Sequence, residues 1–144
     1  MIADTELRDL RDIAGTMIPA NAERNLPGAD DPAIQADIVR TVGRDLPLVK
    51  EAIAALAAKA GGAFAALDQD RREALINDYY AGKSAPVMTL GRVILGAYYR
   101  DDRVLTALGV EPRAPFPKGF TVEQGNWSLL DAVRNRPQLW RDDR

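Results

Sequence analysis

The sequence predicts an all-α fold of about six helices in a compact bundle, followed by an extended C-terminal arm that is rich in proline and aromatic residues. Apolar residues recur at three- and four-residue spacing through most of residues 1–110, which is the period of an amphipathic helix. Alanine is abundant there, whereas the residues that favour strands are sparse. Residues 111–144 contain four prolines and both tryptophans. We therefore predict a single domain with a helical part, 1–110, and an arm, 111–144, that packs on this domain or on a partner subunit.

The first helix is predicted to begin at Thr5, which is a favourable N-cap, and to end before Pro19. A loop with three prolines and a Pro-Gly dipeptide follows, and these residues are typical of an ordered surface turn. Asp31 is predicted to cap the second helix, with Pro32 in its first turn. The apolar stripe of this helix fades after Val42.

The third helix is predicted to run from Pro47 to the Gly61-Gly62 stop. Its apolar stripe and its many alanines favour close contact with other helices, so we expect it to be central. The fourth helix is predicted to follow Asp68 and to end at Gly82.

Ser84 is predicted to cap the fifth helix, which has a broad apolar face. Gly91 and Gly96 interrupt this helix, and each lowers the stability of the helix by about 1 kcal/mol relative to alanine. We expect both glycines to be explained by tight packing against a neighbour. A short sixth helix is predicted between a cap at Asp101 or Asp102 and a stop at Gly109.

Two tyrosine pairs end the fourth and fifth helices, Tyr79-Tyr80 and Tyr98-Tyr99. The tyrosines are suited to lining a ligand pocket, but one member of each pair falls on the apolar stripe. Core packing with a hydrogen-bonded hydroxyl is therefore the favoured interpretation.

The composition argues against most catalytic chemistry. The chain has no histidine and no cysteine, which removes the commonest metal ligands, the commonest general base and the strongest nucleophile. Its two serines have no histidine to activate them, and no Gly-rich phosphate loop is present. We expect no catalytic residue, no cofactor and no metal on this chain.

Adjacent carboxylates occur twice, at Asp30-Asp31 and at Asp101-Asp102. Such pairs are able to bind a hard cation or to do acid–base chemistry. Acids that precede a helix are more often caps, and we favour that interpretation.

Charge and hydropathy give expectations about partners and location. The formal net charge of −2 provides no electrostatic footprint for nucleic acid or for an anionic membrane. No apolar run approaches the roughly 20 residues needed to span a bilayer, and the first residues are acidic rather than signal-like. We expect no nucleic acid partner, no membrane span and a cytoplasmic location, or a periplasmic one if a leader was removed.

The arm has the composition of an adhesive segment rather than a disordered one, because it concentrates aromatic residues. Within it, residues 128–135 are predicted to be helical. Aromatic and arginine side chains are typical of interface hot spots. The candidate partner-binding residues are Phe116, Phe120, Trp127, Leu130, Arg134 and Trp140. The alternative is a tail that folds back on its own domain.

The run LRDLRDIAGTMIPANAERNLPGADDPAIQADIVR, residues 7–40, resembles the gluconate 2-dehydrogenase subunit 3 family. It contains an Ile-Pro-Ala step after the first helix, a Pro-Gly-Ala loop and an acid-rich helix start. The later segments GGAFAALDQDRREAL and GAYYRDD are also similar to that family, and the likeness covers nearly the whole chain.

The resemblance implies a non-catalytic small (γ) subunit that stabilises and helps fold a larger dehydrogenase. That partner would be an FAD-dependent enzyme of the glucose-methanol-choline (GMC) type that oxidises hydroxyl groups of sugars or related alcohols, sometimes with a cytochrome c subunit. Family members often carry a twin-arginine signal. Here Arg71-Arg72 lies mid-chain with no apolar segment after it. The alternatives are a free-standing helical adaptor or ligand-binding bundle with no oxidoreductase partner, and an enzyme that uses carboxylates and tyrosines alone.

Overall fold

The computed structural model describes residues 2–62, 64–113, 119 and 121–137, and it confirms the all-α prediction. Helices and short 3-10 turns account for the regular structure of the described residues, which include no strand. The chain divides into two compact units, Met1–Pro112 and Arg113–Arg144.

Six helices lie in the first unit. They are α1 (Asp4–Met17), α2 (Pro32–Thr41), α3 (Leu46–Lys59), α4 (Gln69–Ala81), α5 (Ala85–Tyr98) and α6 (Asp102–Ala107). Short 3-10 turns occur at Ala22–Arg24, Gly43–Asp45 and Phe64–Ala66. In the second unit a 3-10 turn, Trp127–Leu130, leads directly into α7 (Asp131–Arg134). The helix predicted over residues 128–135 is therefore present in part as a 3-10 turn.

The start of α1 differs from the prediction. Its N-cap is Ala3, and Thr5 lies inside the first turn, so the Thr5 cap is wrong. The carboxylate of Glu6 reaches back and accepts a hydrogen bond from the Ala3 N–H at 2.7 Å. This contact satisfies a backbone donor at the helix start without a capping hydroxyl, so the helix extends past Thr5.

Three aspartates cap helices. The predicted cap at Asp31 is confirmed, and Asp101 is the capping member of the predicted choice between Asp101 and Asp102; Asp68, predicted only to precede α4, also caps its helix. Asp31, Asp68 and Asp101 each accept a hydrogen bond from a backbone N–H in the first turn of α2, α4 and α6. Ser84 occupies the N-cap position of α5, but its side chain makes no capping hydrogen bond. Pro86 in that first turn has no N–H, which leaves one orphan donor fewer to cap.

The core is built around α3 and α5, which form the most extensive helix pair. Helix α1 packs against α3 and α4, and α2 packs against α5. The largest fully buried side chains are Phe64, Leu10, Ile13, Ile34, Ile38, Ile53, Leu56, Leu90, Ile94, Val49, Val87 and Val104. The predicted central position of α3 is therefore confirmed.

The loop between α1 and α2 is ordered, as predicted, and it is tied to the end of α1 and to α5. The Ala29 N–H donates to the carbonyl of Ile18 at 2.9 Å, and Ala29 is fully buried. The Pro27 carbonyl accepts from the Tyr98 hydroxyl at 3.2 Å. The Asp30 side chain lies against Gly15 and Gly28, where a Cβ on either glycine would meet it at 3.0 Å or closer.

The two glycines of α5 differ from each other. A Cβ on Gly91 would overlap Tyr80 Oη and lie 3.0 Å from the Cε1 and Cζ atoms of that ring, so the predicted tight packing is confirmed. A Cβ on Gly96 would meet only the Arg100 guanidinium, at 3.8 Å. The packing explanation is wrong for Gly96, because no other helix in the described part of the chain lies over it.

Candidate functional site

Helix α5 presents an apolar face to solvent in addition to its buried face. Met88, Leu95 and Tyr99 are 52%, 42% and 53% exposed. With Gly96 and the part-buried Tyr80 they line a shallow apolar depression of about 500 Å³, which we call the α5 face. Spacings of four, seven and eleven residues place these side chains on one side of the helix.

The α5 face is apolar because the helix has almost no polar side chains. Thr89 and Arg92 are the polar residues between Ala85 and Tyr98. Arg92 lies at the edge of the face and pairs with Asp45 at 2.8 Å. An exposed apolar face on an otherwise buried helix is a candidate interaction surface.

This face was missing from the sequence prediction. The periodicity correctly assigned Leu90, Ile94 and Tyr98 to the buried side. The signal for a second apolar side was present, because Met88, Leu95 and Tyr99 are also apolar or aromatic and fall outside that set. Periodicity identifies the more apolar side of a helix and leaves open what covers the other.

The tyrosines confirm the core interpretation at two positions. Tyr98 is 4% exposed and donates to the Pro27 carbonyl, and burial raises its pKa. The Tyr80 hydroxyl contacts Met17 Sδ at 3.7 Å, and burial raises the pKa of Tyr80 to about 12. Tyr99 differs, because its ring is half exposed and meets the Tyr98 ring edge-on, with 5.3 Å between centroids.

The acidic pairs hold helix ends together through Arg103. Its guanidinium donates to both carboxylate oxygens of Asp31, at 2.7 and 3.0 Å, and to both of Asp101, at 2.8 and 3.0 Å. These hydrogen bonds hold the pKa of Asp31 and of Asp101 below its ordinary value, with burial opposing the shift. Carboxylates that stay ionised at an N-cap are structural, which confirms the capping interpretation for these two residues.

A second ion pair joins α2 to the end of α5. Arg100 donates through Nε to Asp37 Oδ2 at 3.1 Å and through Nη2 to the Thr41 hydroxyl at 2.9 Å. Burial raises the pKa of Asp37, but hydrogen bonds from Arg100 and Arg40 outweigh it and lower the pKa overall. This charged cluster therefore fixes helix positions.

In the second unit, three of the six predicted partner-binding residues can be described. Trp127 and Leu130 are 62% and 41% exposed, and Arg134 is exposed beside Asp131 at 3.4 Å. Their spacing of three and four residues places them on one side of the turn and α7. Phe116, Phe120 and Trp140 lie outside the described residues.

No protein-family model, curated protein or solved structure matches this chain. Within residues 2–62, 64–113, 119 and 121–137, no helix is both long and apolar enough to cross a bilayer. The same residues include no cluster of three or more acidic side chains arranged to hold a metal ion.

Proposed function

We propose that this chain is a non-catalytic small (γ) subunit that stabilises and helps fold a larger FAD-dependent dehydrogenase of the GMC type. The partner would oxidise hydroxyl groups of sugars or related alcohols and would hold the FAD, with a cytochrome c subunit as a further member of the complex. The proposal of the gluconate 2-dehydrogenase subunit 3 family rests on the resemblance of residues 7–40 and of the two later segments to that family.

The observation that carries an interaction role is the α5 face. Met88, Leu95 and Tyr99 each expose two-fifths or more of their surface on a helix whose other side is the core. Removing such residues from water is favourable by about 25 cal/mol per Å² of apolar surface, and the net affinity is what remains after the cost of association. A subunit that binds the folded partner also stabilises it by mass action, which is the effect expected of an accessory chain.

The second unit offers further apolar surface. Trp127, Leu130 and Val133 are all more than 40% exposed. Tryptophan and arginine are enriched among the residues that dominate binding energy, and Trp127 and Arg134 lie on one side of this segment. These residues support a role for the arm in the same interaction.

The test is co-expression of the tagged chain with a GMC-type flavoprotein encoded beside it, followed by size-exclusion chromatography read at flavin wavelengths. We expect a yellow complex that co-elutes with the chain, and a large subunit that is insoluble when expressed alone. A colourless monomer beside a soluble, active flavoprotein would overturn the proposal. That result would favour the alternative, a free-standing helical adaptor or ligand-binding bundle.

A further inference from the structure

A second surface, separate in its residues from the α5 face, is a groove between α1 and α2. It has a volume of about 550 Å³. Its apolar lining comes from Leu7, Pro32, Ala36 and Val39, and its polar lining comes from Arg8, Arg11, Asp30, Gln35 and Arg40. Val39 is 44% exposed, so the apolar part of this α1–α2 groove is open to solvent.

Three arginines and one aspartate line the groove, and the two arginines that are not paired with Asp37, Arg8 and Arg11, outnumber Asp30. Arg11 makes no hydrogen bond or ion pair to any described residue. Arg8 donates only to the backbone carbonyl of Asp4, at 3.4 Å. Arg40 is paired with Asp37. Arg8 and Arg11 therefore keep guanidinium donors available to an acidic group from another molecule.

The length of the groove suits a polypeptide segment. Its lining on α2 extends from Pro32 to Arg40, which is about 12 Å along the axis at 1.5 Å per residue. This distance corresponds to roughly two turns of a helix laid beside α1 and α2. An amphipathic helix in a groove binds through apolar side chains three and four residues apart, with charged residues at its margins.

We propose that the α1–α2 groove binds an acidic amphipathic helix of a partner polypeptide, whose apolar side chains cover Leu7 and Val39 and whose carboxylates pair with Arg8 and Arg11. The inference rests on the proposed function because it requires a polypeptide partner. It adds that the bound segment of that partner is an acidic amphipathic helix. Apolar contact supplies affinity, and charge complementarity selects an acidic segment over a basic one.

The experiment uses the full chain, labelled with ¹⁵N, and a synthetic helical peptide of about 14 residues, or four turns, with leucines on one side and flanking glutamates. Amide chemical shifts are followed as the peptide is added. We expect saturable changes at residues 7–11 and 33–40, weakened by added salt. A second peptide with every glutamate replaced by lysine is the charge control, and we expect about tenfold weaker binding or none.

Two variants with the same change in charge locate the interaction. Arg11→Glu lies in the groove, whereas Arg44→Glu lies in the exposed Gly43–Asp45 turn outside it. We expect Arg11→Glu to weaken binding of the acidic peptide about fivefold or more and Arg44→Glu to leave it unchanged, because only the first removes a groove contact. Wild-type-like spectra of the free variants show that both remain folded.

Three results would overturn the inference. The first is that no chemical shift changes up to about 1 mM peptide. The second is that the acidic and lysine peptides bind equally well, and the third is that the changes are confined to residues outside the groove. A response to dodecanoate without any response to the acidic peptide would also overturn it and assign the groove to a small amphiphile. None of these results depends on a flavoprotein, so failure here is distinguishable from failure of the proposed complex.

Discussion

The ring of Tyr80 occupies the space that a side chain at Gly91 would need. A Cβ at that position would overlap the tyrosine hydroxyl and lie 3.0 Å from two ring atoms. The same hydroxyl contacts Met17 of α1, so this glycine allows one tyrosine to join α4, α5 and α1.

Gly91→Ala is expected to lower the free energy of unfolding by about 1 to 2 kcal/mol, because displacing the part-buried ring costs more than the helix gains from alanine. The measurement is urea unfolding followed by circular dichroism. Gly96→Ala is the matched control on the same helix. It has open space, so we expect it to raise the free energy of unfolding by about 0.5 to 1 kcal/mol. Equal effects of the two substitutions would contradict the packing role of Gly91.

Tyr98→Phe removes the hydroxyl that ties α5 to the loop between α1 and α2. The free energy of unfolding should fall by about 1 kcal/mol, since the part-buried Pro27 carbonyl loses its donor. Tyr99→Phe, next in sequence, removes a hydroxyl that makes no hydrogen bond to a described residue, and we expect little change. A Tyr98→Phe protein as stable as the wild type would show that this hydrogen bond contributes nothing measurable.

The Arg103 cluster predicts a particular dependence of stability on pH. Asp31 and Asp101 have folded-state pKa values lowered mainly by hydrogen bonds from Arg103, below the unfolded value of about 4. Their contribution is therefore fully present above that unfolded value and is lost as the pH falls through the lower folded-state values. These side chains are partly exposed, so we expect about 1 kcal/mol in total.

Chemical unfolding of wild type and Arg103→Gln between pH 7 and pH 2 measures this contribution. The variant should be less stable at neutral pH, and the difference should shrink as the solution is acidified. Arg44→Gln is the control, since Arg44 is exposed and lies outside the cluster, and it should follow the wild-type profile. If wild type and Arg103→Gln differed in stability by the same amount at every pH in this range, ionisation of Asp31 and Asp101 would not explain the difference.

The arm makes its own prediction about binding. If Trp127 is a partner anchor, Trp127→Ala should weaken binding to the flavoprotein by about 30-fold, equivalent to about 2 kcal/mol. Leu129→Ala is the control, because Leu129 is 74% exposed and falls off the spacing shared by Trp127, Leu130 and Arg134. Isothermal titration calorimetry measures both. An unchanged affinity for Trp127→Ala would remove it from the interface.

Much of the helical unit was predictable because its signals are local. Aspartate caps at Asp31, Asp68 and Asp101 are set by a side chain and the next two or three N–H groups, and the structure confirms the two that were predicted, at Asp31 and Asp101. The Thr5 cap was wrong because Glu6 satisfies the Ala3 N–H from inside the helix. That competition is also local, but N-cap propensity alone ranks threonine far above alanine.

The interaction surfaces were harder to predict because they depend on what covers each helix. Gly91 and Gly96 have the same intrinsic cost, yet only Gly91 lies beneath another helix. Likewise, Leu95 and Val93 are neighbours of similar hydropathy, and the fold buries Val93 but leaves Leu95 exposed. The α1–α2 groove requires two segments about 25 residues apart to lie side by side, which no local pattern reports.

The central claim is that this chain binds a GMC-type flavoprotein through the α5 face. The most direct test compares the affinities of wild type, Leu95→Asp and Ala54→Asp for that flavoprotein by calorimetry. Ala54 is exposed on α3 and is the control for the added charge. We expect tight binding by wild type and Ala54→Asp, and about 30-fold weaker binding by a folded Leu95→Asp. No binding by wild type, or the same affinity for all three proteins, would contradict the claim.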